Sequence, residues 1–299
     1  MSTPSLSYII VTKDKFPYLK NRLEKLLAEK KDDEEILIGN GGTDETGAYI
    51  ARLKEEGKIK YALSEPDLGE SHAMNKLFLM LHGTLIKLIT DDDVFYYPAI
   101  EACKKFMLEH PEIDMLGSEG GCFKHKTARE LALQAVAGYE QNYRQWQKDR
   151  TPFEFSGLGS MWRTASIPIL GFWNLSFRAA DAEFTFRATA GRANIAWYTG
   201  YSFVYIKNQQ SVSWVYREKI RDETRRLRKF YLDEDPPSGI MQKLKKLMRY
   251  LTRLPSRSPV HTPPTRPFAE EWPDLVARSE EWLQGENAAR KPEFLWNRK

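Results

Sequence analysis

The stretch at residues 84–98, TLIKLITDDDVFYYP, decides the fold that we expect for this chain. Its apolar part, Leu85–Ile89, is typical of a buried strand. Three carboxylates, Asp91, Asp92 and Asp93, follow it directly and would repel one another without a cation or hydrogen-bond donors among them. In open α/β sheets the ligand crevice lies at the carboxyl ends of the strands, so acids there predict a site for Mg²⁺ or Mn²⁺. The alternative is an acidic turn ahead of the next helix.

The bulk composition is that of an ordinary globular protein. The chain has 299 residues, of which 41% are hydrophobic and 29% charged, and its formal net charge is +4. Cys103 and Cys122 form no disulfide framework and no metal-site spacing. The N-terminus lacks the pattern of a signal peptide, and no run reaches the roughly 18 apolar residues of a spanning helix. We therefore expect a cytoplasmic protein, free or held at the cytosolic face of a membrane.

Strands and helices alternate along the first hundred residues. The predicted strands cover residues 7–12, 35–38, 59–63 and 85–89. Alternation of this kind predicts a doubly wound, Rossmann-like and mostly parallel sheet flanked by helices. The turns after the first three strands then open on the edge that carries the three aspartates. Glycines in the second of these turns, GNGGTD at residues 39–44, permit close approach of a ligand to the backbone.

The second part of the chain continues the α/β pattern. We expect a fifth strand at residues 113–121, a long helix at 127–150, and two further strands at 195–198 and 202–206. Asp181 and Glu183 lie at the start of a predicted helix, where acids also stabilise the helix dipole without any catalytic role. The pattern is compatible with a catalytic role for these two acids and with a purely structural role at the helix start.

Seven segments, in order, resemble family 2 glycosyltransferases of GT-A fold. They are SYIIVTKDK, EILIGNGGTDET, SEPDLGESHAMNKL, LITDDDVFYYPAI, HPEIDMLGSEGG, ILGFWNLSFRAADAEFTFRA and YIKNQQSVS. The resemblance covers residues 7–215, and the segment that begins at Ser64 is most similar to the branch that builds bacterial surface polysaccharides. It implies a nucleotide-diphosphate sugar donor, Mn²⁺ or Mg²⁺ as cofactor, and inverting transfer to a hydroxyl of a glycan or lipid-linked glycan.

The resemblance also implies roles for individual residues. Asp91 and Asp93 bind the metal, which stabilises charge on the leaving diphosphate, and Asp92 lies near the ribose or a metal-bound water. Asp181 is the general base that takes the acceptor proton, with Glu183 as the second choice. The residues that line the nucleotide-sugar pocket are Thr12, Lys13, Asp14, Asn40, Asp67, Asn75 and Lys76, together with Asp91 and Asp92.

Four positions depart from the pattern of the family. The usual D-D-G-S turn is GNGG at residues 39–42, an arginine is replaced by Met74, the glutamate of an E-D pair by Ala180, and a metal-ligating histidine by Asn208. The departures are compatible with altered donor choice, weaker metal dependence or loss of activity. The second hypothesis is therefore a catalytically silent relative that binds a glycan or nucleotide and serves as a scaffold. The retained aspartates favour an enzyme, and a nucleotidyltransferase is disfavoured because VTKDKFP, at residues 11–17, lacks glycine.

The chain is expected to divide into four parts. These are a GT-A catalytic domain at residues 1–216, a basic helical extension at 217–257, a proline-rich linker at 258–268 and a C-terminal tail at 269–299. An amphipathic basic pattern in the extension predicts a helix on an anionic membrane surface or, alternatively, one packed on the catalytic domain. No nucleic-acid-binding motif accompanies the charge. The tail carries three tryptophans in and around one short predicted helix, which either folds back on the domain or forms a homodimer.

Overall fold

The structure, a computed structural model, describes residues 3–125, 131–233 and 267–296. Its strands are β1 Leu6–Thr12, β2 Glu34–Asn40, β3 Tyr61–Ser64, β4 Leu85–Ile89, β5 Val94–Phe95, β6 Met115–His125, β7 Leu131–Ala135, β8 Met161–Arg163, β9 Ile195–Tyr205 and β10 Phe294–Leu295. Its helices are α1 Phe16–Glu29, α2 Thr46–Glu55, α3 Glu70–Phe78, α4 Tyr97–Glu109, α5 Tyr139–Asp149, α6 Ile167–Leu170, α7 Ala180–Ala190, α8 Val212–Val215, α9 Arg217–Leu232 and α10 Phe268–Arg290.

The first four long strands form the parallel half of one sheet, in the order β3-β2-β1-β4. Strands β2 and β4 are buried along their whole length, as expected for parallel strands with helices on both faces. The predicted α/β architecture is thus confirmed. Register pairs Thr12 with Asn40 at the carboxyl ends of β1 and β2, and the three aspartates follow β4 at the same edge.

The other half of the sheet mixes strand directions. Strand β8 runs antiparallel between β4 and β6, and β9 then lies parallel to β6 with register shifts around Glu119. The two-residue strand β5, directly after the aspartates, pairs with β9 through Val94 and Val204. This pairing brings the carboxyl end of β9 against the acidic turn, which is why residues more than a hundred positions apart meet there.

The long helix predicted at residues 127–150 is wrong in its first part. Residues 131–135 form β7, which pairs antiparallel with β6 through Leu133 and Phe123, and the helix begins only at Tyr139. Leu131, Leu133 and Ala135 recur at the spacing of a strand and pack against one apolar cluster. Tertiary pairing with β6 outweighs the helical propensity of this alanine- and leucine-rich stretch. Residues 126–130 lie outside the described part of the chain.

The C-terminal segment folds back on the sheet. The expected short helix is a helix of 23 residues, α10, and β10 pairs antiparallel with β9. Trp272, Leu275 and Leu283 of α10 are buried in an apolar cluster with Val94 and Val204. Residues 234–266, which contain the basic amphipathic pattern and the proline-rich linker, lie outside the described residues. Among the described helices, none is both long enough and apolar enough to cross a membrane.

Candidate active site

The acidic turn after β4 is organised around the ammonium group of Lys15. Asp91, Asp92 and Asp93 are all buried. Lys15 Nζ lies 3.1 Å from Asp91 Oδ1 and 2.9 Å from Asp92 Oδ2, and Thr12 donates a hydrogen bond of 2.7 Å to the second oxygen of Asp91. Both donors come from the end of β1 and the loop that follows it, beside β4 in the sheet. Two of the three carboxylates therefore converge on one positive charge.

The third carboxylate faces another way. The amide of Ile206 donates to Asp93 Oδ1 and the Thr90 hydroxyl to Asp93 Oδ2, both at 2.7 Å. Asn208 donates its side-chain amide to Asp92 Oδ2 at 2.7 Å. The expected metal pair of Asp91 and Asp93 stays a prediction. The pair that shares the Lys15 ammonium is Asp91 and Asp92, because Ile206 after β9 and Thr90 after β4 each engage one oxygen of Asp93.

Burial and charge shift the pKa values of this cluster. Burial raises the pKa of Asp91 to about 6, against the opposing effect of Lys15 and with a further contribution from the charge of Asp92. Burial also raises the pKa of Asp93 well above its usual range. Burial alone would lower the pKa of Lys15, but the charges of Asp91 and Asp92 outweigh it and keep the ammonium protonated. Three carboxylates beside one ammonium leave an excess of acidic groups.

The acidic turn has the oxygen ligands that the cation implied by the resemblance requires. Carboxylate oxygens suit Mg²⁺ and Mn²⁺, and the Lys15 ammonium already occupies the place where Asp91 and Asp92 hold a positive charge. Within the described ranges, no group of three or more His, Cys, Asp or Glu side chains could hold a metal ion. Asp91 and Asp92 could therefore supply two carboxylate ligands to a divalent cation that takes the place of Lys15, and the other ligands would have to come from elsewhere.

Asp181, in the first turn of α7, is a half-buried carboxylate and forms the second acidic centre of the site. Its Oδ2 accepts a hydrogen bond of 2.8 Å from the amide of Gly157 and one of 3.5 Å from the Ser156 hydroxyl. Burial raises the pKa of Asp181, and these two hydrogen bonds oppose the shift. No cation is bonded to this carboxylate in the described part of the chain. Asp181 is thus a half-buried acid with neutral partners.

The turn that holds Asp181 is tied to β4 by a buried lysine. Lys87 is 2% exposed and donates to the carbonyl oxygens of Leu158 and Ser160, the latter at 3.1 Å. The turn at Gly157–Gly159 also supplies the amide that binds Asp181. Strand β4 therefore supports both acidic centres, one through the aspartates that follow it and the other through Lys87.

Glu183 has a different environment from Asp181. Its Oε1 forms an ion pair of 2.9 Å with Arg187 one turn along α7. Arg187 also donates to the carbonyl oxygens of Leu170 and Phe172, so the pair ties α7 to the preceding loop. The carboxylate of Glu183 is therefore engaged in a structural contact, and Asp181 is the better placed of the two candidate bases.

Glu70, in the first turn of α3, is a site residue that the sequence analysis did not single out. Burial, followed by the charge of Asp181, raises its pKa to about 7, while Lys15 lowers that pKa and Asp91 and Asp92 raise it. One carboxyl thus lies within electrostatic range of both acidic centres. Its only sequence signal was an acid in the first turn of a helix, which also has a purely structural explanation.

The remaining predicted pocket residues around Asn40 form the walls of the crevice. Buried Asn40 donates to Ser64 Oγ at 3.0 Å and accepts from the amide of Gly42 at 2.9 Å. Asp14, in the left-handed region with φ 52°, accepts from the amide of Thr43 at 2.8 Å. Asp67 lies directly against Gly41, where a Cβ would collide with its carboxylate. Asp14, Asn40 and Asp67 therefore lie together at the edge where β1, β2 and β3 end.

The other three predicted pocket residues are placed less centrally. Asn75 uses both atoms of its side-chain amide to bind the main chain of Trp173, at 2.8 and 2.9 Å, and so anchors α3 to the loop before α7. Lys76 is paired with Glu65 at 2.6 Å near the surface. Lys13 is exposed. The structure thus brings the acids and Asn40 together but assigns Asn75 a structural contact.

The C-terminal helix reaches the site as well, which the sequence did not indicate. The indole N–H of Trp272 donates to the main-chain oxygen of Asp92 at 2.8 Å. Trp272 is buried, with Tyr18 at the edge of its ring and the guanidinium of Arg22 5.3 Å from its centroid. A residue 180 positions away therefore supports the middle of the acidic turn.

Solved structures define the class of this fold. It is similar to that of S. aureus TarS residues 1–349, in complex with UDP-GlcNAc (16% identity, TM-score 0.55, 83% of this chain and 73% of that chain). It is also similar to the mannosyltransferase PcManGT from Pyrobaculum calidifontis, in complex with GDP-Man and Mn²⁺ (15% identity, TM-score 0.54, 97% and 81%). A longer TarS structure matches 91% of this chain over 47% of its own length. The fold is that of the GT-A glycosyltransferases.

Sequence comparison identifies the family. The family model for glycosyl transferase family 2 matches residues 7–169, which is more than half of the chain. The chain belongs to glycosyl transferase family 2 and is a glycosyltransferase, as the ordered segments predicted. No curated protein sequence matches it.

Proposed function

We propose that this glycosyltransferase moves a sugar from a nucleotide-diphosphate sugar to a hydroxyl group, with inversion at the anomeric carbon and Asp181 as the general base. The observation that carries the proposal is the contrast between two acidic centres, the buried pair Asp91 and Asp92 and the half-buried Asp181. Asp91 and Asp92 hold a positive charge, whereas the described residues that bind the Asp181 carboxylate are an amide and a hydroxyl. Glu70 lies within electrostatic range of both, which supports their action on one ligand.

The donor is proposed to lie across the carboxyl edge of the parallel strands. The walls that support this placement are Thr12, Asp14, Asn40 and Asp67, with the acidic turn at the floor. When bound at Asp91 and Asp92, a divalent cation would supply positive charge against the diphosphate. Lys15 would then release the two carboxylates, and its ammonium, still protonated, would remain beside the phosphates.

The acceptor is proposed to lie on the Asp181 side. Its oxygen attacks the anomeric carbon while Asp181 takes the hydroxyl proton, and the bond from that carbon to the phosphate oxygen breaks with its electron pair on the departing nucleoside diphosphate. A base with a raised pKa suits this role, because proton transfer is most effective when the pKa approaches the working pH. Gly157 and Ser156 fix the orientation of the carboxylate.

The acceptor class stays a prediction from the resemblance: a hydroxyl of a glycan or of a lipid-linked glycan. The division into residues 1–216, 217–257, 258–268 and 269–299 is likewise proposed, although α10 and β10 pack on the sheet of the first unit. Attachment to an anionic membrane would rest on residues 240–254. Replacing the lysines and arginines of that stretch with glutamine should abolish co-sedimentation with anionic liposomes. Binding equal to that of the unchanged protein would contradict the membrane proposal.

The proposed transfer is tested by combining binding with turnover. UDP- and GDP-sugars with Mn²⁺ should raise the thermal midpoint, since a ligand that binds only the folded state stabilises it. The stabilising donor should then be hydrolysed or transferred by the unchanged protein and not by Asp181→Asn. A donor that stabilises both proteins but is turned over at the same negligible rate by each would favour the silent scaffold instead. Light scattering, which gives the molar mass in solution, tests separately whether the protein forms the proposed homodimer.

A further inference from the structure

Arg178 is a half-buried arginine beside the crevice that has no role in the site described so far. Its guanidinium carbon lies 4.8 Å from the centroid of the Tyr216 ring, which fixes the plane of the group by cation–π contact. On the other side the guanidinium lies against Gly69, the residue before α3. The φ of 119° at position 69 favours glycine, and a Cβ there would displace the guanidinium from its present position.

The main chain at this position is held as firmly as the side chain. Glu223 of α9, which is 2% exposed, accepts hydrogen bonds from the amides of Arg178 and Ala179, at 2.6 and 2.8 Å. This buried carboxylate fixes the turn that leads into α7 and thus the distance between Arg178 and Asp181, three residues on. The arginine is therefore presented from a fixed point and not from a free loop.

The surroundings of Arg178 place it at the edge of the site. Gly69 precedes Glu70, whose carboxyl senses the charges of Asp181, Asp91 and Asp92. The amide of Gly69 also donates to Asp67 at 2.8 Å, and Asp67 lies against Gly41 in the turn after β2. The guanidinium thus borders the same crevice as both acidic centres.

The charge of Arg178 is less compensated than that of Lys15 or Lys76. Lys15 is neutralised by Asp91 and Asp92, and Lys76 by Glu65. Within residues 3–125, 131–233 and 267–296, no carboxylate forms an ion pair with Arg178. A crevice lined by this many acids repels a diphosphate, so a cation that is not already neutralised is the group on which such a ligand can gain affinity.

We infer that Arg178 binds a phosphate group in the crevice, with Tyr216 and Gly69 holding the guanidinium in place; this inference rests on the proposed function. Planar guanidinium groups bind phosphate oxygens through two parallel hydrogen bonds, which lysine cannot reproduce. The phosphate comes either from the diphosphate of the donor or from a phosphorylated acceptor. Both sources share the same chemistry, and binding measurements separate them.

The test uses Arg178→Met in the full chain, with UDP, GDP and geranyl diphosphate as probes in calorimetric titrations with Mn²⁺. The matched control is Arg52→Met, since Arg52 also stacks on a tyrosine, with its guanidinium carbon 5.5 Å from the centroid of Tyr49. Loss of a charge-assisted phosphate contact should weaken binding by about 10- to 100-fold in Arg178→Met, with no such change in Arg52→Met. Arg178→Lys, which keeps the charge without the fork, should fall between Arg178→Met and the unchanged protein. If Arg178→Met does not fold, the affinity of Arg178→Lys for the same probes tests the inference.

The outcomes of these titrations either support or overturn phosphate binding by Arg178. Weaker binding of UDP or GDP alone supports the inference and identifies the donor as the source, and weaker binding of geranyl diphosphate alone identifies the acceptor. Unchanged affinity of Arg178→Met, or of Arg178→Lys if only that variant folds, for every probe overturns the inference and leaves the proposed function intact. If the unchanged protein binds none of the three probes, the proposed function fails and this inference fails with it.

Discussion

The two acidic centres of the site differ in what neutralises them. Asp91 and Asp92 share the ammonium of Lys15 at 3.1 and 2.9 Å, with Asn208 and Thr12 as further donors. Asp181 is half-buried, and its partners among the described residues are an amide and a hydroxyl. A carboxylate that is paired with a cation holds charge, whereas one held by neutral donors is free to exchange a proton. The environments therefore divide cation binding and proton transfer between two parts of one crevice.

The largest expected effect comes from removing the proton acceptor. Asp181→Asn keeps the hydrogen bonds from Gly157 and Ser156 but cannot accept a proton, so turnover should fall by about 10²- to 10⁴-fold. Glu183→Gln should lose less, because that carboxylate is paired with Arg187. Steady-state rates with a saturating donor measure both. A greater loss of turnover in Glu183→Gln than in Asp181→Asn would indicate that Glu183, and not Asp181, is the general base.

The pH dependence of turnover sharpens the same contrast. Burial raises the pKa of Asp181, and the base must be ionised, so kcat should rise with pH through that pKa and fall about tenfold per unit below it. The midpoint of the acidic limb should therefore lie above about 3.9, which is the pKa of an ordinary aspartate. Rates are measured at saturating donor and Mn²⁺, so that protonation of Asp91, with a pKa of about 6, does not limit binding.

A control for the pH profile is the residual activity of Asp181→Asn, which should lack the acidic limb. If that variant keeps the same limb as the unchanged protein, the titrating group is not Asp181. Glu70 would then be the next residue to replace, because burial and the charge of Asp181 raise its pKa to about 7.

Replacing Lys15 tests the other centre. Lys15→Met removes the ammonium that occupies Asp91 and Asp92, so the affinity for Mn²⁺ without nucleotide should rise by about tenfold. Two buried carboxylates would also lose their counter-ion, so the thermal midpoint should fall and Mn²⁺ should restore it. Titration followed by Mn²⁺ electron paramagnetic resonance gives the affinity. Lys13→Met, which alters an exposed lysine two positions earlier, is the control. Unchanged or weaker Mn²⁺ binding in Lys15→Met would show that Asp91 and Asp92 do not bind the metal.

The smallest expected effect concerns the C-terminal helix. Trp272→Phe removes the hydrogen bond to the main chain of Asp92 and should weaken binding of Mn²⁺ and nucleoside diphosphate by about two- to tenfold. Trp282→Phe, in the same helix, removes an indole that packs on Tyr201 away from the acidic turn. Replacing Trp272 with benzothienylalanine, which keeps the shape without the N–H, isolates the hydrogen bond. Equal weakening by both phenylalanine variants would indicate a general loss of packing.

Much of the fold was predictable because its first half is built from local signals. The strands that end at Thr12, Asn40 and Ile89 are short apolar runs between helical patterns, and the parallel sheet puts their ends at one edge. The error in the first part of the helix predicted at residues 127–150 has a non-local cause, whereas its second part is the helix Tyr139–Asp149. Residues 131–135 become a strand only because β6 is available to pair with them.

The candidate site was predictable in part. Residues directly after a strand, such as Asp91 and Asp92, are located by the sheet alone. The partner of these aspartates, Lys15, carries no signal in a loop that already has another lysine and an aspartate. Trp272 and Arg178 reach the site only through the return of α10 and through the contact with Gly69, and no spacing in the sequence encodes such contacts.

The central claim is that Asp92 binds the donor through a cation while Asp181 acts only on the proton. Calorimetric titration of UDP and GDP with Mn²⁺ into Asp92→Asn and Asp181→Asn tests it most directly. The account predicts that Asp181→Asn binds the nucleoside diphosphate like the unchanged protein, and that Asp92→Asn loses most of the affinity. Equal loss of affinity in the two variants, or loss confined to Asp181→Asn, would contradict the division of roles.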